Sequence, residues 1–147
     1  MPAAQRTIEI RRPAADVFRF LADGTTSPQW RPAVLDVEHT GGSGVGATYR
    51  QGVKGPGGRR IAADYEVTAA EPDRRLAFRA IAGPVRPTGE YRLEDAAGAT
   101  RLTFSLDADL GFLKGLLMGS AVQASMDAEM AALDNLKRIL EAAPPSG

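Results

Sequence analysis

GFLKGLLMGSAVQASMDAEMAALDNLKRIL, running from Gly111 to Leu140, is the stretch on which the fold turns. Its second half sets Val122, Met126, Met130, Leu133, Leu136 and Leu140 at three- and four-residue spacing, with Asp127, Asp134, Arg138 and Glu141 on the opposite side, the pattern of an amphipathic helix. Its first half puts Gly115 and Gly119 on the same inward stripe. Glycine inside a helix costs about 1 kcal/mol against alanine and fills no space. The split predicts a helix that closes over its partner layer at one end and leaves room at the other, which is how a container is built.

The partner layer is read upstream. Residues 33–110 alternate with period two and are interrupted by the turn-rich stretches GGSGVG (Gly41 to Gly46), GPGG (Gly55 to Gly58), EPDR (Glu71 to Arg74), GPVRP (Gly83 to Pro87) and AAGA (Ala96 to Ala99). That divides the region into six strands. Alternation turns inward Leu35 and Val37; Ala47 and Tyr49; Ile61, Ala63, Tyr65 and Val67; Leu76, Phe78 and Ala80; Tyr91 and Leu93; Leu102, Phe104 and Leu106. Their outward neighbours, among them Asp64, Glu66, Arg75, Arg79, Arg92, Glu94 and Arg101, are polar. A sheet with one wet face must pack its other face, and the long terminal helix is the large element left to cover it.

Further upstream, residues 6–12 alternate through Ile8 and Ile10 as a first strand, and Pro13 then suits the first turn of a helix with Val17, Phe20 and Leu21 on its inner face. TTSPQWRP follows, where Ser27 and Pro28 open a second short helical turn that Pro32 ends, so that two helices lie within residues 13–31. The long helix is expected over 111–141 and a tail over 142–147. The reading is an α+β chain forming one domain over residues 1–147.

The 147-residue length suffices to bury roughly 70% of the surface of the unfolded chain. Its 18 basic and 18 acidic residues cancel, which removes the bulk attraction that would draw it to nucleic acid or an anionic membrane. It has no cysteine, so disulfides, thiol nucleophiles and thiolate metal sites are excluded. MPAAQRTIEI lacks the apolar run of a signal peptide, and the apolar segment Leu110 to Val122 is too short to span a bilayer and carries Lys114. A cytoplasmic protein without integral membrane insertion is expected, as a monomer or homodimer.

IEIRRPAADVFRFLADGTTSPQWRPAV (Ile8 to Val34), VGATYRQ (Val45 to Gln51) and LDNLKRILE (Leu133 to Glu141) together resemble the START-like superfamily, the helix-grip fold shared with birch-pollen-type allergens (SRPBCC), and within it the polyketide cyclase/dehydrase and lipid-transport branch. The resemblance covers nearly the whole chain. It implies a seven-stranded antiparallel sheet wrapped around the C-terminal helix, two short helices after the first strand, and a deep apolar cavity between sheet and helix. The shared residues belong to the fold, so the resemblance assigns no catalytic residue.

Tyr49, Tyr65, Phe78, Tyr91 and Phe104, with Trp30 near the rim, give an apolar interior carrying a few hydroxyls, the lining of a small-molecule pocket as well as of a filled core. From the helix, Gly115, Met118, Gly119, Val122 and Met126 complete the expected cavity lining. GGSGVG is followed by a strand and lacks the GxGxxG spacing, so it reads as a hairpin turn rather than a phosphate loop. His39, the only histidine, has no partner at metal-ligand spacing and reads as a surface residue; no metal and no cofactor are expected. Asp64, Glu66 and Glu90 fall on the outward face, while Arg79 and Arg86 are candidates to meet an acidic ligand head at the pocket mouth. The leading expectation is a protein that binds or carries a small hydrophobic ligand such as a lipid, isoprenoid or aromatic polyketide. The alternatives are a cofactor-independent cyclase or aromatase in which a tyrosine moves protons, and a co-chaperone-like protein-interaction module.

Overall fold

A computed structural model describes residues 2–143. Strand β1 (Ala3–Ile10) leads through Pro13, whose φ of −59° already suits a helix, into α1 (Ala14–Ala22), which buries Val17 and Leu21. Asp23 accepts the main-chain N–H of Thr25 and so caps a 3-10 turn over Gly24–Gln29. Strands β2 (Val34–Gly41) and β3 (Thr48–Lys54) follow, then β4 (Arg60–Ala62), β5 (Tyr65–Glu71), β6 (Arg75–Ala80), β7 (Thr88–Ala96) and β8 (Ala99–Asp107). Helices α2 (Gly111–Ala131) and α3 (Leu133–Ala142) close the described chain. Pro144 to Gly147, most of the expected tail, lie outside the described residues.

The sheet is antiparallel in the order β1-β8-β7-β6-β5-β3-β2, with β4 pairing β3 off this path. α1 and the 3-10 turn carry the chain from one edge strand to the other. This is the α+β helix-grip architecture that the sequence predicts, with the three-residue β4 added to the seven long strands. The first strand starts earlier than read, at Ala3, because β8 offers it a partner along its whole length, from Ala3 opposite Asp107 to Ile10 opposite Thr100. Leu35, expected inward, is 46% exposed: the β2–β3 register shifts between Val34 and Asp36, and the bulge turns its side chain out.

The terminal helix differs from its reading in two ways. Its path tightens at Ala132 (ψ −17°), which divides α2 from α3. Its second half packs as predicted, with Met126, Met130, Leu133, Leu136 and Leu140 buried. The first half does not lie on the sheet: Phe112, Leu113, Leu116 and Leu117 are exposed, Leu117 at 85%. Polar straps hold the packed half to the β1 edge. Buried Arg12 donates from Nη1 to the carbonyls of Leu140 and Ala143 at 2.7 and 2.8 Å, placing a cation at the C-terminus of α3, and its guanidinium is paired with Asp16. Arg6 reaches Met130 O and Asp134, and Glu141 accepts from the main chain and guanidinium of Arg11 and from Lys137.

Candidate ligand cavity

The concave face of the sheet carries an aromatic row that crosses six strands. His39 on β2 stacks on Tyr49 of β3 with ring centroids 4.9 Å apart, and Tyr49 stacks on Tyr65 of β5 at 5.0 Å. Tyr65 meets Phe78 of β6 edge-on at 5.6 Å, Phe78 lies 6.1 Å from Tyr91 of β7, and Tyr91 stacks on Phe104 of β8 at 4.4 Å. The row is continuous because directly paired residues share a face, as His39 with Tyr49, Tyr49 with Tyr65, and Tyr91 with Phe104. Two glycines make room for it. A Cβ on Gly89, the residue opposite Phe78, would lie 2.2 Å from that ring, and one on Gly24 would lie 2.1 Å from Tyr65 Oη.

Between this row and α2 lies a cavity of about 570 Å³. On the helix side it is bordered by Met118, Ala121, Val122, Ala124, Ser125, Met126, Ala128 and Glu129, of which four are alanine or serine. Trp30, Tyr49, Tyr65, Phe78, Tyr91, Phe104, Met118, Val122 and Met126, all expected in the lining from sequence, border it. Trp30 is buried rather than at the rim, edge-on to Tyr91 at 6.5 Å. Gly115 and Gly119 are not among the bordering residues, and a Cβ on either would meet nothing within 4 Å. The room that the sequence reading assigned to glycine is left by alanine and serine a turn or two further along.

One corner of the cavity is polar, and sequence reasoning did not assemble it. Arg31 donates from Nε to Glu129 Oε2 at 2.6 Å, from Nη2 to Glu129 Oε1 at 3.2 Å and from Nη1 to Gln51 Oε1 at 3.3 Å. Arg31 is set by the 3-10 turn, its N–H donating to Ser27 O, while Asn135 of α3 holds the adjacent Trp30 carbonyl. Gln51 is fixed by its Nε2 on Ala63 O and its main-chain N–H on Asp64. The Arg31 and Glu129 side chains are only 15% and 14% exposed. Burial works against the guanidinium charge, but Glu129's attraction and hydrogen bonds outweigh it and raise Arg31 above its ordinary value.

The tyrosines beside this pair are held neutral. Burial raises both Tyr65 and Tyr91 well above the ordinary phenol value, more than nearby Arg31 lowers them. Neither hydroxyl makes a hydrogen bond to another described residue, whereas Tyr49 Oη donates to Ala22 O at 3.3 Å. The signal that could have found the corner is Glu129 itself. It stands three residues after Met126 and four before Leu133, so helical spacing places a carboxylate on the buried stripe, where it requires a partner.

The remaining candidates lie elsewhere. Glu66 pairs with Arg79, and Glu90 with Arg75 and Arg92, on the face away from the cavity. Asp64 accepts from Gln51 N, and exposed Arg86 donates to Gly83 O without bordering the cavity. His39 is exposed and bonds to the Gly41 and Gly42 carbonyls. Among the described residues no group of three or more His, Asp or Glu is placed to hold a metal ion, and no helix is long and apolar enough to cross a membrane.

A sheet curled over a terminal helix, with an aromatic-walled cavity between them, defines a START-like helix-grip protein. The chain belongs to the polyketide cyclase / dehydrase and lipid transport family, whose model matches residues 1–141. Its structure is similar to that of a protein from Thermus thermophilus (19% identity, TM-score 0.80, covering 96% of this chain and 98% of the other). It is also similar to a START superfamily protein from Mycobacterium smegmatis (16% identity, TM-score 0.76, covering 95% and 97%). A third similar structure is the Zhui aromatase/cyclase of a Streptomyces species (19% identity, TM-score 0.72, covering 98% of both chains). At such identities the likeness is one of fold. The chain matches none of the curated proteins.

Proposed function

We propose that this protein binds a small hydrophobic molecule, of the lipid, isoprenoid or aromatic polyketide kind, in the cavity between sheet and α2. The observation that carries the reading is the cavity of about 570 Å³ walled by the aromatic row, a size within the roughly 300–1,000 Å³ of small-molecule sites. Apolar burial at about 25 cal/mol per Å² supplies the affinity, less the cost of immobilising the ligand. Native mass spectrometry of the freshly purified protein, with organic extraction of what it releases, tests the proposal together with titration by apolar fluorophores. A discrete added mass or saturable binding is expected. A protein that carries nothing and takes up no apolar probe would refute it and favour an interaction module.

A second reading, cofactor-independent cyclisation, is favoured by one specific observation. The neutral Tyr91 hydroxyl, without a hydrogen-bond partner among the described residues, sits in the electrostatic reach of Arg31 and Glu129. Such a hydroxyl could donate a proton to a ligand oxygen as charge develops there. Tyr91→Phe separates the two: a carrier loses a modest part of its affinity, whereas a cyclase loses orders of magnitude in rate while still binding.

A further inference from the structure

Resting on the reading of the cavity as a binding site, we infer that its polar corner is a subsite for a neutral carbonyl oxygen, and that it discriminates against carboxylates. Three of the five guanidinium N–H groups of Arg31 are committed, two to Glu129 and one to Gln51. The other two N–H groups remain available, as do the hydroxyls of Tyr65 and Tyr91, which bond to no other described residue. Both carboxylate oxygens of Glu129 are occupied by Arg31, and Gln51 directs its amide N–H to Ala63 O. The N–H groups of Arg31 can only donate, and each Glu129 oxygen already accepts one of them, so the corner favours an acceptor oxygen over an ammonium, which the Arg31 cation also repels.

Charge then selects among acceptors. Arg31 and Glu129 cancel, so a carboxylate placed here would bring an uncompensated negative charge into an apolar cavity. Lys54, the other charged residue bordering the cavity, is exposed, and solvent screens its charge from one held at the corner. A ketone or ester carbonyl incurs no such cost and satisfies donors that are otherwise unmatched. The ligand class is thus an aromatic or apolar body ending in a neutral carbonyl, seated with its oxygen toward Arg31 and Tyr91.

The test uses three probes substituted at the same ring position, acetylnaphthalene, naphthoate and ethylnaphthalene, titrated against the fluorescence of Trp30, the single tryptophan, which borders the cavity. The wild-type protein should bind acetylnaphthalene about tenfold more tightly than either of the others. Glu129→Gln removes the balancing charge with little change of shape, so naphthoate should gain about tenfold and the preference for acetylnaphthalene over it should be lost. Tyr91→Phe, a milder change, should weaken acetylnaphthalene about threefold to tenfold and leave ethylnaphthalene unchanged. If all three probes bind wild type equally, or naphthoate binds best there, the carbonyl subsite is refuted while the cavity stands as a binding site. If none binds, the binding-site reading falls and takes the subsite with it.

Discussion

Breaking the Arg31–Glu129 pair from one side should cost far more than removing both partners. Arg31→Met leaves the Glu129 carboxylate, and Glu129→Leu leaves the Arg31 guanidinium, without its counterion at a site where each side chain is about 15% exposed. Removing one partner of a buried pair costs about 3–5 kcal/mol, whereas replacing both by apolar side chains of similar volume is often neutral. Here the cavity gives an orphaned charge some access to water, so about 2–4 kcal/mol is expected for each single change. The double variant should return to within about 1 kcal/mol of wild type, a coupling of at least about 3 kcal/mol. At about 2–4 °C per kcal/mol for a chain of this size, each single variant should melt about 4–16 °C low. Urea unfolding followed by far-ultraviolet circular dichroism reads the free energies without relying on Trp30, which adjoins the mutated arginine. Single changes that each cost under about 0.5 kcal/mol, or that simply add in the double, would refute the claim that the corner is a buried, mutually dependent pair.

Gly115→Ala and Gly119→Ala should each stabilise by about 0.5–1 kcal/mol in urea unfolding, since a Cβ there meets nothing within 4 Å and helix propensity alone decides. Gly24→Ala should do the opposite by about 1–3 kcal/mol, because its Cβ would press on Tyr65 Oη at 2.1 Å and Tyr49 Cε1 at 2.7 Å. Ala128→Leu, on the helix border of the cavity, should weaken apolar probe binding about tenfold with little change in melting temperature; unchanged affinity would argue that ligand sits elsewhere. Lys137, followed by the main-chain N–H and guanidinium of Arg11, holds the Glu141 carboxyl at about 2 against an ordinary 4.5. A carboxyl depressed in the fold stabilises fully above its unfolded value and loses that contribution as pH falls from 4.5 toward 2. The stability gap between wild type and Glu141→Gln, about 1–2 kcal/mol near neutrality, should therefore close over that range in thermal melts at stepped pH.

Period-two alternation read the inward residues of β6 to β8 because those strands pair without interruption on at least one side and bury one face. It failed at Leu35, where a bulge shifts the register, a feature set by pairing rather than by side-chain pattern. The three- and four-residue spacing of the terminal helix located Met126, Met130, Leu133, Leu136 and Leu140 in the core, because burial there is one-sided. Extending the same stripe to Gly115 and Gly119 assumed that the partner layer continues, and sequence periodicity contains no measure of where a sheet ends. The polar corner was hidden for a different reason. Arg31, Gln51 and Glu129 come from the segment just after a 3-10 turn, a strand and a helix, and no local spacing connects them.

The two halves of the terminal helix divide the work of stability from the work of enclosure. From Met126 onward each turn contributes a buried side chain, and the ion pairs and hydrogen bonds of Arg6, Arg12, Lys137 and Glu141 fasten it to β1 and α1. Before Ala121 the helix buries no large side chain, and its one side-chain tie across to the sheet's loops is Lys114 Nζ on Pro84 O among the described residues. Glu129 stands just past the point where packing begins, so the half that is firmly held fixes the polar corner. The half that is lightly held reaches the cavity at Met118. Local stability follows buried contact, and the least packed segment opens at the lowest cost. A cavity whose recognising groups sit on the rigid side and whose helix border continues into the loose side can admit a bulky apolar molecule without disturbing the donors that orient it.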